Sequence, residues 1–273
     1  MISFRPRQIY YNAHLAYGCY WAKCTFCSYR EFQDWCKNKV IERPNIEEIL
    51  DSLPELGENR FSRKCQMIVH TCVDCAKPEL LNKILSAKKS ITIRNCVRAD
   101  KTILDVIEKY DDLSNHVIQI GMEGFCQHVP DELNKGFQIS TALEIIAAGT
   151  ERGARVHVGL MGGYPFLTKE DVKESFSTID EIAVIARKKP NLINFNDNIQ
   201  VWFPGEKLVS KYGFPLEKGA GKWYRPIMPK NSDVYRYNQE ILDYIYKSNI
   251  PINCYTTDHQ DGKYQPATRF TNQ

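Results

Sequence analysis

Residues 116–161 read HVIQIGMEGFCQHVPDELNKGFQISTALEIIAAGTERGARVHVGLM. The stretch opens on an apolar run, HVIQIGM (116–122), with the length and content of a buried strand. A helical pattern over Ile139–Arg152 follows and stops at Gly153, a residue suited to a helix C-terminus. A second apolar run, ARVHVGLM (154–161), comes next. Strand, helix and strand in this order predict a parallel pair joined by a crossover helix.

The same alternation extends in both directions. Upstream, QMIVHT (66–71) and SITIRNC (90–96) read as strands, and Pro78–Lys88 and Lys101–Tyr110 as helices. Earlier still, NAHLAYG (12–18) reads as a first strand, and Ile46–Leu56 as a helix with Pro44 near its start. Downstream, Thr168–Lys189 reads as a long helix whose Thr168 and Asp171 have capping-box spacing. LINFNDNIQVWF (192–203) reads as the last, longer strand region. About six β–α units result, hence an α/β fold. Periodicity leaves a doubly wound sheet and an incomplete barrel both open. Either places ligands at the C-terminal ends of the strands.

The texture changes after Pro204. Residues 211–236 are rich in Gly, Pro, basic and aromatic residues, and one amphipathic helix is predicted over Val234–Lys247. The expected division is a core over residues 1–210 and a C-terminal extension over 211–273 that covers the barrel or contacts substrate.

The chain has 273 residues, a formal net charge of +3, and 43% hydrophobic and 25% charged residues. That composition excludes wholesale disorder. The charge is too small to argue for a nucleic-acid coat. No run approaches the length of a membrane helix, and the N-terminus lacks the apolar core of a signal peptide. The expected setting is cytoplasmic, with no membrane partner. The ten cysteines therefore point to metal or redox chemistry rather than disulfides.

The densest cluster is Gly18-Cys19-Tyr20-Trp21-Ala22-Lys23-Cys24-Thr25-Phe26-Cys27, spaced C-x4-C-x2-C after the predicted first strand. Three soft thiolates on one loop select zinc or an iron–sulfur cluster. Structural zinc needs a fourth ligand, for which Cys36 is the nearest candidate. A 4Fe–4S cluster on three cysteines leaves one iron open to a substrate or cofactor. Cys72, Cys75, Cys96 and Cys126 are candidates for a second metal, a thiol or plain core.

The loop resembles that of the radical S-adenosylmethionine (SAM) enzymes. Their common spacing is C-x3-C-x2-C, with an aromatic residue before the third cysteine, the place of Phe26. One extra residue separates Cys19 from Cys24. The form G-C-x-W-x-x-C-x-F-C is similar to that of members that often carry a cobalamin-binding domain; the expectation here is a chain without that domain before the loop. The resemblance runs on through VHTCVDCAKP (69–78), Val97-Arg98-Ala99-Asp100, Ile120–Val129 and Asn134-Lys135-Gly136. It continues in Val156–Glu170 and Phe203–Glu206.

The resemblance implies a partial (β/α)6 TIM-like barrel with a short C-terminal extension. It implies a 4Fe–4S cluster on Cys19, Cys24 and Cys27, with SAM chelated at the open iron. Reductive cleavage of SAM then gives a 5′-deoxyadenosyl radical that abstracts hydrogen from a substrate. Phe26, Thr71, Asp74, Arg98, Glu123, Gly162 and Gly163 are the implied SAM-site residues. Among these, Arg98 is a candidate for the SAM carboxylate and Glu123 for ribose hydroxyls or an ammonium. Arg98 and Asp100 have an alternative reading as a pair at a helix start.

An electron donor such as flavodoxin or ferredoxin is implied as a partner. The substrate is open among small molecules, peptides and RNA. A tRNA- or peptide-modifying radical SAM enzyme is one alternative, and a non-enzymatic zinc-binding interaction protein another.

Overall fold

A computed structural model describes residues 7–13, 15–27, 41–53, 65–70, 76–87, 92–198, 203–219, 221–250 and 252–254. Its main sheet has seven strands in the order β1 (Arg7–Asn12), β2 (Cys65–His70), β3 (Thr92–Val97), β4 (His116–Glu123), β5 (Arg155–Met161), β6 (Ile193–Asn198) and β7 (Ile252–Cys254). Every neighbouring pair in this sheet is parallel. Spatial order equals chain order, as successive crossovers of one hand require.

Between the strands lie α1 (Ile46–Ser52), α2 (Pro78–Ser86), α3 (Lys101–Ile107), α4 (Ile139–Glu151) and α5 (Lys169–Lys188), and α6 (Asp233–Lys247) precedes β7. The predicted capping box on α5 is formed: the Asp171 amide donates to Thr168 Oγ1, and the Thr168 amide donates to the Asp171 carboxylate. Gly153 adopts φ +83 directly beyond α4. This left-handed conformation favours glycine.

Two strand expectations need correction. The first sheet strand is Arg7–Asn12, whose Ile9, Tyr10 and Tyr11 are good strand formers. Of the predicted segment 12–18, only Asn12 belongs to it. Ala16–Tyr17 instead pairs antiparallel with Ile41–Glu42. The region 192–203 divides: β6 ends at Asn198, and Phe203–Pro204 joins a small antiparallel sheet with Trp223–Pro226 and Leu216–Lys218. Fully buried Phe203 seeds a second apolar cluster with Val129, Leu133 and Leu167, which explains the change of sheet. The strand β7 is three residues long, too short for periodicity to register.

The two faces of the main sheet differ in chemistry. Ile93, Val97, Ile118, Ile120, Val156, Val158, Ile193 and Phe195 are buried in one cluster with residues of the helices. Among the alternate residues on β3–β6, Arg94, Gln119, His157 and Asn194 are only half-buried. On the helix side, α5 meets α6 through stacked Phe176 and Tyr244 rings 4.0 Å apart. Among the described residues, no helix is long and apolar enough to cross a membrane.

The N-terminal end of β4, the middle strand of the sheet, stores a pH dependence. Burial takes the His116 imidazole from 6.5 down to about 4, against a smaller opposing pull from Asp112. The unfolded chain therefore binds this proton first as pH falls. The stabilisation is complete above about pH 6.5 and is lost as pH falls toward 4. Between pH 7 and pH 4.5, wild type should lose about 2–3 kcal/mol more unfolding free energy than His116→Gln. Urea melts of both proteins at the two pH values check this, and equal losses would contradict it.

Candidate active site

The cysteine loop leaves the short strand Ala16–Tyr17 through buried Gly18, at φ +93. Cys24 is 8% exposed, while Cys19 and Cys27 are half-buried. The Cys27 amide donates to the Cys24 carbonyl at 3.3 Å, closing a turn around the C-x2-C segment. Burial pushes the Cys24 thiol up, while the Lys135 and Arg98 charges pull it down. Both cations thus act on the loop.

A brace holds this loop against the end of β4. The Trp21 indole Nε1 donates to the Asn134 carbonyl at 2.7 Å. The Asn134 side-chain amide donates to the Lys23 carbonyl at 3.0 Å, and the Thr25 amide to the Leu133 carbonyl at 3.0 Å. The Trp21 ring lies directly over Gly136, where a Cβ would come within 2.3 Å of it. Asn134-Lys135-Gly136 is therefore the counter-surface of the cysteine loop.

Arg98 closes the brace from the other side. Its guanidinium is 4% exposed and sits 4.3 Å from the Trp21 ring centroid. It donates to the Asp100 carboxylate at 3.1 Å and 3.3 Å and to the Lys135 carbonyl. Tyr20 donates its hydroxyl to the same carboxylate. The Arg98–Asp100 pairing stands directly before α3, whose N-cap is Asp100.

Glu123 ends β4 at a register shift in the β4–β5 ladder and has φ +67. Irregularities of this kind re-aim a side chain. Its carboxylate folds back over Gly121, where a Cβ would lie 2.7 Å from Oε1. It pairs with Lys135 Nζ at 3.2 Å, both side chains being mostly buried. Lys135 Nζ also sits 5.2 Å from the Phe26 ring centroid. Glu123, Lys135, Phe26 and Cys24 form one continuous site at the C-terminal end of the sheet.

Gly162 and Gly163 follow β5. The Gly163 and Tyr164 amides both donate to Asn238 Oδ1 at 2.9 Å. Asn238 is buried on α6 and returns a bond to the Tyr164 carbonyl. The Tyr164 hydroxyl donates to the Glu123 carbonyl at 2.8 Å, linking the two strand ends. Thr71, Asp74, Cys36, Cys72 and Cys75 lie outside the described residues. Cys126 is fully buried, and its thiol is pushed up to about 12 by burial first and by Asp171 second. It is therefore an inert core residue. Sequence reasoning did not single out Lys135, Tyr164 or Asn238. Lys135 was visible only as part of Asn134-Lys135-Gly136.

The donor chemistry suits an iron–sulfur cluster. The three thiols share one loop and are flanked by partly buried Tyr20, Trp21 and Phe26, which keep the surroundings dry. Among the described residues, no three His, Cys, Asp or Glu side chains close on a single ion. In a cluster each cysteine binds a different iron, so such closure is not required.

Comparison with known proteins agrees. The sequence model of the Radical SAM superfamily matches residues 15–179. A search of curated proteins by sequence finds no match. Among solved structures, a spore photoproduct lyase mutant is 14% identical with TM-score 0.54, over 89% of this chain and 75% of that one. A second mutant of that lyase, with bound AdoMet and dinucleoside spore photoproduct, is 12% identical with TM-score 0.50, over 89% and 75%. The cobalamin-dependent radical enzyme OxsB, with aqua-cobalamin bound, is 13% identical with TM-score 0.48, over 86% of this chain and 30% of that one. The lyase structures share the fold, an α/β partial barrel. With the family match over more than half its length, the chain belongs to the radical SAM superfamily, enzymes that use a 4Fe–4S cluster and S-adenosylmethionine.

Proposed function

We propose that Cys19, Cys24 and Cys27 hold the cluster and that the end of β4 receives SAM beside it. The observation that carries this reading is the brace. Trp21, Arg98 and Asn134-Lys135-Gly136 fix the three-thiol loop against the Glu123–Lys135 pair. When bound, the cluster and SAM supply the electron and the carbon radical for hydrogen abstraction. The chain itself positions, shields and balances charge.

In this reading Glu123 accepts from the amino or ribose groups of SAM. Lys135 offers a cation to the SAM carboxylate. Phe26 excludes water from the cluster. Gly162 and Gly163, held by Asn238, keep a side-chain-free surface for the adenine side. Thr71 and Asp74 are proposed for the methionine side from their place after β2. Arg98, being buried and bonded within the brace, supports the loop as a positioning residue. The core of residues 1–210 is completed by β7 (Ile252–Cys254), which pairs with β6 in the main sheet, so the described part of the C-terminal extension contributes to the core as well as covering it. The reductant is a small electron carrier such as flavodoxin or ferredoxin.

Two measurements test the site. Anaerobic protein reconstituted with iron and sulfide should release 5′-deoxyadenosine from SAM and dithionite, and release no greater than in a protein-free control would contradict the reading. Glu123→Gln should weaken SAM binding by about tenfold or more, the worth of a charged hydrogen bond. Equilibrium dialysis with labelled SAM reads this directly, and unchanged affinity would remove Glu123 from the site.

A further inference from the structure

The net charge of +3 is unevenly spread along the chain. Residues 203–232 hold six basic side chains and two acidic ones, so the rest of the chain is slightly acidic. This stretch builds the small antiparallel sheet of Phe203–Pro204, Trp223–Pro226 and Leu216–Lys218. Basic side chains gathered on one element are the electrostatic footprint of a polyanion, whatever the total charge.

The two faces of that sheet differ. Tyr224 pairs with fully buried Phe203, and both pack in the second apolar cluster. Side chains alternate along a strand. Trp223, opposite Pro204, and Arg225, opposite Glu217, therefore lie on the outer face. Arg225 and Glu217 pair with each other there. Trp223 is only half-buried, and among the described residues its ring has no aromatic, cation or hydrogen-bond partner.

Three lysines stand around this indole. Lys218 and Lys222 flank the hairpin turn, and both are exposed. The Gly205 amide donates to the Lys222 carbonyl at 2.7 Å. This bond sets the start of the short helix Glu206–Ser210, with exposed Lys207, beside the same turn. Among the described residues none of the three forms an ion pair.

The sheet is anchored beside the mouth of the barrel. Its inner cluster also takes in Phe26 of the cysteine loop and Met161 at the end of β5. Tyr212, between Phe203 and the hairpin, donates its hydroxyl to the Glu132 carboxylate at 2.9 Å, just after β4. A chain held on the outer face therefore lies next to the C-terminal ends of the strands.

We infer that the substrate of this enzyme is an RNA, docked through an unpaired segment whose base stacks on Trp223 and whose phosphates meet Lys207, Lys218 and Lys222. A flat apolar ring among cations matches both halves of a nucleotide. An acidic peptide would use the cations and leave the ring idle. Paired bases cover each other's faces, whereas RNA loops offer unstacked bases without melting a duplex. The inference rests on the radical SAM reading for the identity of the RNA as substrate. The docking surface itself is tested separately.

The test uses the anaerobically reconstituted protein and a fluorescein-labelled RNA stem–loop, read by fluorescence anisotropy over a series of salt concentrations. The stem–loop should bind saturably and more tightly than a DNA duplex of the stem and loop sequence. Trp223→Ala should weaken binding at least about fivefold, the worth of one stacked base. Trp223→Phe keeps an aromatic face and should restore most of the affinity. Lys218→Gln with Lys222→Gln should lower the slope of log affinity against log salt by about 1.4. Three results overturn the inference: no saturable binding, binding unchanged in both the Trp223→Ala and the lysine variants, or displacement of the RNA by polyglutamate at equal charge. The lysine variants are exposed changes that decide the matter even if Trp223→Ala fails to fold. 5′-Deoxyadenosine release from SAM and dithionite is read on the same preparations. Its absence would count against the radical reading and leave the RNA result standing, and release without RNA binding would sink this inference alone.

Discussion

Cys24→Ala is expected to reduce bound iron from about four per chain to below about one, and 5′-deoxyadenosine release to background. Cys24 is the most enclosed of the three thiols, at 8% exposure. Its carbonyl also accepts the bond that shapes the turn to Cys27. Alanine keeps that backbone bond and removes only the ligand, so the loss reports ligation rather than loop folding. The remaining two thiols hold a cluster too weakly to survive desalting. Cys126→Ala is the matched control, because that thiol is fully buried and pushed up to about 12. It should retain full iron content. Iron analysis with sulfide determination on both variants decides the matter, and full iron in Cys24→Ala would remove this cysteine from the ligand set.

Gly136→Ala should destabilise the protein by about 2–5 kcal/mol and speed iron loss, although residue 136 bears no ligand. Two costs add. Residue 136 sits at φ +66, which charges a residue with a Cβ about 1–2 kcal/mol. The new Cβ would also lie 2.3 Å from Trp21 Cη2 and Cζ2, an overlap worth about 1–3 kcal/mol. The indole cannot yield freely, since it donates to Asn134 and stacks on Arg98. Gly213→Ala separates the two costs: it has φ +69 and nothing within 4 Å, so only the backbone cost applies. Trp21→Ala combined with Gly136→Ala should cost less than the sum of the single changes. Denaturant melts of the single and double variants read the coupling, and strict additivity would show that the indole does not press on residue 136.

The β–α alternation was legible because β4 and β5 are apolar runs and the helices that follow them carry their own start or stop signals. Thr168 with Asp171 and the Ile139–Gly153 helix show how local such signals are. What escaped was short or long-range. The strand β7 is three residues, and the true first strand begins before the segment whose apolar content drew the eye. In the site, the cysteine spacing was readable from Cys19 to Cys27 alone. The brace was not. Trp21 meets Asn134 and Gly136 across more than a hundred residues, and no local pattern announces that contact. Likewise, Asn238 reaches back to the Gly163–Tyr164 turn from a helix that periodicity marked only as amphipathic. Arg98 shows the remaining difficulty. Its type suited either an anion ligand or a brace, and only its 4% exposure and its bonds to Asp100 and the Lys135 carbonyl speak for the second.

The central claim is that three cysteines on one loop hold a 4Fe–4S cluster whose fourth iron takes SAM. Mössbauer spectroscopy of the protein reconstituted with 57Fe, before and after SAM is added, tests it most directly. The account predicts that SAM shifts the signal of one iron in four and leaves the other three in place. Four irons unaffected by SAM, or a preparation that takes up zinc and no iron, would contradict it.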